Sequence, residues 1–385
     1  MHEVSERMAL QTVRDLIVIG APLPFRILDA GRRLLLNGGQ VVLSEAQFET
    51  LIQRGAWAER TLVEAAREAI QNGGKSPASR GQPTVFDRWE KTTLELDKLS
   101  RGIVRHTAPV SGIVPLVASI ESLIDRDPDA ALFVCVRQDD RRFAWYPLTH
   151  AIHCTVVSVL TARQLDWPAE RTRSLACAAL SMNLAMMELQ AVMAEQDTPP
   201  STRQKEQIRT HPIAAAKLLR DGGATDETWL QAVEQHHEST DGTGYPTGLT
   251  TPTEAARILR MADVYMAKIS PRSKRAAMLP QLAARQLFQQ QPGDPLAMAM
   301  IKSLGVHPPG SFVALRSGEI GVVMRRPASG PHPVVAVLSD KTGRPALQTQ
   351  VRDTSMAEFT VLGPPPDTKA FGRVLPERVY GFVPA

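Results

Sequence analysis

No stretch of this chain limits its fold and chemistry as tightly as Gln235-His236-His237-Glu238-Ser239-Thr240-Asp241-Gly242-Thr243-Gly244-Tyr245-Pro246-Thr247-Gly248-Leu249, which combines paired imidazoles, two carboxylates and three glycines. It directly follows an apolar-periodic helix marked by Trp229, Leu230 and Val233. Two adjacent histidines at a helix end address one site only if that end lies beside it, and imidazole is the commonest protein ligand for transition metals. The Asp-Gly-x-Gly-Tyr-Pro that follows must be a loop, because glycine permits positive φ while proline pins its own φ and biases Tyr245 towards extended. A His-His pair on its own reads as a helix C-terminus with a polar turn.

The string as a whole resembles the signature of the HD-GYP family, in which His-His-Glu is followed by Asp-Gly-x-Gly-Tyr-Pro and then Gly-Leu. Each of those positions is matched here. The resemblance extends over about Thr149 to Leu315 and implies an all-helical, metal-dependent phosphodiesterase domain that opens the bacterial second messenger cyclic di-GMP.

At 385 residues, 43% of them apolar, the chain has room for two or three domains and a substantial core. Its three cysteines, Cys135, Cys154 and Cys177, are odd in number and widely separated, which argues against a disulfide framework and for buried thiols in a reducing cytosol. The amino terminus lacks the apolar run of a secretory signal. The most apolar stretch, about Leu175 to Met193, is interrupted by Ser181, Asn183, Glu188 and Gln190 and reads as a buried helix rather than a membrane segment. A net charge of +4 with dispersed basic residues allows nucleic-acid binding but does not point to it. A cytoplasmic location follows from these points together.

The expected fold class is mainly α: a helical HD-type domain with a small α+β amino-terminal module and a short β-rich carboxy-terminal appendage. The module occupies residues 1–70. Between Asp15 and Trp57 its short apolar runs are broken by Pro22, Pro24, Asp29-Ala30-Gly31 and Asn37-Gly38-Gly39, suggesting strands joined by tight turns. Ser44 with Gln47 forms a capping-box signature ahead of Phe48, Leu51 and Ile52. This part resembles the module ahead of some HD-GYP domains, and an accessory or sensory role stands beside a plain packing role. A Gly/Pro/Ser-rich linker follows at residues 71–87. The helical domain covers residues 88–304, with a core at residues 149–304, and the β-rich tail covers residues 305–385.

Within the helical domain, Trp89 to Ile124 reads as helices broken at Pro109 and Pro115, either a connecting helix or the first helices of the domain. Ala131 to Val136 passes for a strand by β-branching but falls where the family is helical. Four apolar stripes follow: Ile152, Val156, Val159 and Leu160; Leu175, Ala179 and Leu180; Ile213, Leu218 and Leu219; Ala256, Leu259 and Met266. Past Gly305, the runs Val306–Pro309, Ser311–Leu315, Gly318–Met324 and Val334–Leu338 read as short strands.

The family resemblance also implies a ligand set for two or three metal ions, carried over residue by residue. His150 falls where an early histidine belongs, and His153 where a non-ligand stands. His211, followed by proline at an expected helix start, matches the later histidine. His236 and His237 match the pair, and Asp263 the final aspartate. Where the family has its His-Asp dyad and a lysine, this chain has Ser181, Met182 and Ala185. Two ligands and a cation are therefore missing at once.

The physical consequence is specific. Two dications held roughly 3.5–4 Å apart need anions between them, and a methionine thioether is a soft, neutral ligand unsuited to hard cations. The binuclear centre should not assemble. By the resemblance, His211, His236 and His237 share one site and can take one divalent ion of the Fe, Mn or Zn type. His150 and Asp263 belong to the other, with too few ligands for a second ion. Glu188 is a weak candidate for a replacement carboxylate.

Taken singly, a helical histidine is more often a satisfied polar residue than a ligand, whereas the flanking motif favours a site role for His236 and His237. Basic residues surround Asp263. The resemblance makes Lys268 and Arg272 the phosphate contacts, with a solvated helix face as the alternative. It likewise assigns Glu238, Asp241, Gly242, Gly244, Tyr245 and Pro246 to substrate positioning or to contact with a partner such as a GGDEF domain.

Three functional expectations follow. The chain is a nucleotide-responsive or protein-binding module with little or no phosphodiesterase activity; or it hydrolyses cyclic di-GMP with a rearranged or single-metal centre; or the histidines tie the fold together around a structural metal.

Overall fold

The computed structural model of the chain describes residues 7–19, 23–40, 42, 45–71, 84–138, 143–273, 275–327, 330–371, 374 and 376–380. The core of the expected linker, residues 72–83, and Ser44 with the Gln47 side chain of the expected capping box lie outside the described residues. Two compact units result, with the boundary between Leu94 and Glu95.

In the first unit, strands β1 (Arg7–Ala9), β2 (Ile27–Leu28), β3 (Leu34–Leu36) and, after helix α1 (Glu45–Gln53), β4 (Trp57–Glu59) form one antiparallel sheet in the order β1-β4-β2-β3. Helix α2 (Arg60–Gln71) follows β4 directly. Val13, Phe25, Ile27, Ala58 and Val63 fill its core. The apolar run from Leu16 to Ile19 is not a strand. Leu10–Leu16 is a 3-10 turn whose Arg14 carbonyl accepts from the Ile17 N–H, so the chain turns where composition alone suggested extension.

Helix α3 (Val85–Val104) spans the boundary, and the second unit continues through α4 (Ile113–Arg126), α5 (Pro128–Val136), α6 (Tyr146–Gln164), α7 (Ala169–Ser181), α8 (Met187–Glu195), α9 (Thr202–Asp221), α10 (Glu227–Gln235), α11 (Glu254–Ile269), α12 (Pro280–Gln290) and α13 (Pro295–Leu304). The stretch at Ala131–Val136 is helical. Asp127 accepts from the Asp129 and Ala130 N–H groups and Pro128 opens the helix, a start signal that outweighs β-branching.

Helix α6 is the hub, packed against α4, α5, α7, α8, α11 and α13. Its residues are apolar or small on every side, so almost every position from Tyr146 to Ala162 is buried. Two of its buried hydroxyls are satisfied within the helix: Thr155 and Thr161 donate to the Ala151 and Val157 carbonyls. His150, His153 and Cys154 are carried on this buried helix.

Among the described residues one stretch, Ala169–Glu195, is long and apolar enough to cross a membrane, with mean hydropathy 1.4. It comprises α7 and α8, is broken by the turn at Met182–Met186, and is mostly buried in the helical core. Of the expected stripes, three face inward, but Ile213 is 43% exposed. Helix α9 turns Ala215, Ala216 and Leu219 to the core instead.

Strands β5 (Phe312–Leu315), β6 (Ile320–Arg325), β7 (Val334–Ser339), β8 (Pro345–Asp353) and β9 (Val361–Gly363) form an antiparallel sheet ordered β8-β7-β6-β5-β9, followed by the short helix α14 (Pro376–Tyr380). Val306–Pro309 is a bend, not a strand, because Pro308 and Pro309 supply no ladder donor. The sheet is tied to the helices within the same unit. The Arg325 guanidinium donates to both carboxylate oxygens of Asp127 at 3.1 and 2.8 Å, and Phe133 packs into the sheet's apolar core.

Candidate metal centre

His211 lies in the middle of α9, not at a helix start: the helix begins at Thr202 behind a capping box made by Ser201 and Gln204. Pro212 is therefore inside a helix, where it has no N–H for the carbonyl four residues earlier, that of Ile208. That carbonyl accepts from the His211 ring instead, with Nδ1 2.7 Å away. The proline frees an acceptor and the preceding imidazole takes it. Pro212→Ala should return an N–H to Ile208, release the ring and weaken metal binding about 10–100-fold. The same change should stabilise α9 by up to about 3 kcal/mol. Zinc titration against a chelator, with a thermal melt alongside, reads both effects.

His236 is held by the same principle from a different source. Helix α10 starts at its Asp226 cap and ends at Gln235, leaving its last carbonyls without intrahelical partners. One of them, Val233, accepts from His236 Nδ1 at 2.6 Å. A carbonyl only accepts, so Nδ1 carries the proton in both rings and each Nε2 presents a lone pair. The two Nε2 atoms face each other at 3.1 Å. Burial pushes both rings towards the neutral form, His211 down to about 3 with His236 adding to the effect. Two neutral acceptors in that position repel unless a cation sits on both. For metal–nitrogen bonds of 2.0–2.1 Å in tetrahedral geometry, two ligands lie about 3.3 Å apart. The pair fits such an ion.

His237 completes a trio whose donor atoms lie within 4.8 Å of one another. Its ring stacks on Tyr245 at 4.5 Å, and its carbonyl accepts from the Tyr245 N–H and from Arg260 Nη1, both at 3.2 Å. The loop that places Tyr245 is pinned from within. Glu238, 2% exposed, accepts from Thr247 N, Thr247 Oγ1 and Leu249 N at 2.7–2.9 Å. Asp241 accepts from Thr243 N and Oγ1 in an exposed turn, and Gly242 and Gly248 adopt φ of +76° and +74°. Pro246 follows Tyr245 through a cis bond.

A second group lies on α6 and α11. His150 Nε2 is 2.7 Å from Asp263 Oδ1 and 3.5 Å from Cys154 Sγ. Burial alone would raise the Asp263 carboxyl, but the His150 hydrogen bond and the surrounding histidines hold it below the usual carboxylate range. Tyr146 stacks on His150 at 5.1 Å and receives a hydrogen bond from Arg272 at 3.0 Å. Arg272 thus reaches this group through Tyr146, whereas the Lys268 ammonium donates to Gln286 on α12. His153 is buried with an unpartnered Nδ1, and burial pushes it down to about 3.

These buried neutral histidines make the fold acid-sensitive with a definite sign. In the unfolded chain each takes a proton below about 6.5, while His153 and His211 stay neutral in the fold down to about 3. Their contribution is complete above 6.5 and is lost as pH falls through that window, by up to about 1.4 kcal/mol per pH unit for each group. The melting temperature of chelator-treated protein should drop steeply between pH 6.5 and pH 4.

Where the dyad would stand, the structure has a finished core. The Ser181 hydroxyl donates to the Cys177 carbonyl at 2.6 Å and accepts from the Trp229 indole N–H at 2.8 Å, and Met182 is fully buried. Ala185 and Glu188 line a cavity of about 620 Å³ that reaches His211 and has Arg101 and Arg105 on its wall. Sequence reasoning named neither Cys154 nor Tyr146 for the site. Their signal was present: Tyr146, His150 and Cys154 are spaced four apart and so share one stripe of α6.

A protein-family profile described as an HD domain matches residues 140–294. The chain is 27% identical over 276 residues to cyclic di-GMP phosphodiesterase PA4108 of Pseudomonas aeruginosa; the match takes in 70% of this chain and 62% of that protein. It is also similar to a solved structure, Bd1817, a HDG"Y"P protein from Bdellovibrio bacteriovorus, at 15% identity and a TM-score of 0.47, covering 77% of this chain and 97% of the other.

Proposed function

We propose that this chain, which carries a match to an HD domain and is similar to a cyclic di-GMP phosphodiesterase, is an HD-GYP-type cytoplasmic cyclic di-GMP signalling protein with little or no phosphodiesterase activity. Its helical domain binds the nucleotide or a partner protein. The observation that carries this reading is Ser181. Its hydroxyl is spent between Cys177 and Trp229, and Met182 beside it is sealed in the core, so no side chain there can bridge two ions.

The residues that remain suit binding. His211, His236 and His237 would hold one divalent ion of the Fe, Mn or Zn type, which supplies Lewis acidity towards a phosphoryl oxygen. The cavity at His211 has room for a nucleotide portion, with Arg101 and Arg105 on its wall and Met186 and Leu184 giving it an apolar side. Arg272, steadied by Tyr146, is the further candidate for a phosphate. The Gly242–Pro246 loop is the candidate surface for a GGDEF-type partner, although Tyr245 also braces His237.

A second reading, single-metal hydrolysis, is favoured by one observation, the two Nε2 lone pairs aimed at a common point. Equilibrium dialysis against cyclic di-GMP separates the two. Retention of intact nucleotide supports the binding module; accumulation of linear product beyond one equivalent per chain supports the hydrolase and overturns the first reading.

A further inference from the structure

The first unit carries a concave site of its own, a cavity of about 780 Å³ lined by Leu10, Ile52, Trp57, Arg7, Gln11 and Arg32 together with small residues. Leu10 and Trp57 are buried and form its apolar floor, while Arg7, Gln11 and Arg32 are exposed at its rim. No acidic residue is among the described residues that line it. Apolar walls with a few polar groups are what a small-molecule site of this volume needs. Both guanidiniums are held in place. The Arg7 guanidinium lies over the Trp57 ring, 4.7 Å from its centroid, which fixes its plane and leaves its N–H edges for an oxyanion. Glu59 is the cross-strand neighbour of Arg7, yet both of its carboxylate oxygens accept from Arg26 Nη2, at 2.7 and 2.8 Å. Arg32 sits in the turn between β2 and β3 with φ of +64°, the left-handed region that favours glycine. That turn is tied to Trp57, because the Asp29 carbonyl accepts from the Arg32 N–H at 3.0 Å and from the indole N–H at 2.6 Å. The Asp29 carboxylate accepts from the Arg33 backbone N–H at 2.9 Å. Among the described residues, neither Arg7 nor Arg32 has a carboxylate partner.

We propose that this cavity binds a small organic anion, a flat apolar ring bearing a phosphate or carboxylate, with its oxyanion on Arg7 and Arg32 and its ring against Leu10, Ile52 and Trp57. Glycine would make the β2–β3 turn without strain; what arginine adds at position 32 is a second guanidinium at the cavity. Arginine suits both oxyanions, since its planar fork matches phosphate and carboxylate alike. The Gln11 amide offers a donor and an acceptor for polar atoms on the ring edge. The site lies within the first unit and does not rest on the reading given for the helical domain.

Isothermal titration calorimetry of the full chain with adenosine monophosphate and with benzoate tests the proposal and separates the two oxyanions. Adenosine and benzamide are their neutral counterparts. At least one of the anions should bind, and its counterpart should bind at least about tenfold more weakly, the order of effect that losing a charge-assisted hydrogen bond carries. Arg32→Gly should weaken binding of that anion by about tenfold yet melt no lower than the wild type, because it removes the guanidinium and suits the turn. Arg7→Lys keeps a positive charge but loses the fork, and should weaken binding as well. His236→Ala, in the other unit, should leave binding unchanged. Failure of both anions to bind at millimolar concentration, equal binding of anion and neutral counterpart, undiminished binding in Arg32→Gly, or loss of binding in His236→Ala would each overturn the proposal.

Discussion

Replacing His236 by alanine should lower zinc affinity by more than about 100-fold, because loss of an outer partner already costs 10–100-fold and His236 is a direct donor. The ring is fully buried, its Nδ1 is fixed by Val233 and its Nε2 lies 3.1 Å from that of His211. In the wild type, zinc at 100 times its dissociation constant adds about 2.7 kcal/mol to folding, a gain the variant should not show. Competition with a chromophoric chelator gives the affinity, and melts with and without zinc give the linked stability. Equal affinity in the two proteins would remove the histidine trio as a metal site.

Gly244→Ala should be the most disruptive small substitution in the loop. Gly244 has no positive φ, so its requirement is space. An added Cβ would lie 2.4 Å from Ser239 N, 2.5 Å from Glu238 Cα and 2.6 Å from the His237 carbonyl oxygen. All three are backbone atoms, so no rotamer change relieves the overlap. The loop would have to move away from α10, breaking the Tyr245–His237 contact and straining the Glu238 hydrogen bonds. A loss of about 3 kcal/mol is expected, together with weakened metal binding through His237. Gly242→Ala is the comparison. Its φ of +76° carries a dihedral cost, but the nearest atom is a Thr250 methyl at 3.3 Å, so about 1–2 kcal/mol is expected. Chemical denaturation of both variants would show whether the order holds; equal losses would contradict it.

The parts of this molecule that could be read from sequence are those set by local rules. The Asp-Gly-x-Gly-Tyr-Pro turn, the helical stripes and the β-rich tail depend on backbone preference and periodicity, and the mainly helical class followed from them. The helix at Pro128–Val136 was obscured because Val and Phe favour strands, yet Asp127 and Pro128 had already marked a helix start. Ile213 was placed inward because periodicity gives a stripe but not its orientation, and Pro212 hid the helix running through it. The meeting of His150, Cys154 and Asp263 depends on α6 lying beside α11, a long-range contact that no local pattern encodes. The identity of Ser181 was visible at once. Its bond to Trp229, 48 positions away, was not.

The most direct measurement of the central claim is cyclic di-GMP turnover by the purified chain at high concentration, reconstituted anaerobically with Fe²⁺ or Mn²⁺, with bound metal counted on the same sample. The buried Ser181–Met182 position predicts that the nucleotide is recovered intact. Linear or mononucleotide product formed repeatedly by a metal-loaded chain, and lost in His236→Ala, would contradict the account and show that another ligand completes a working centre.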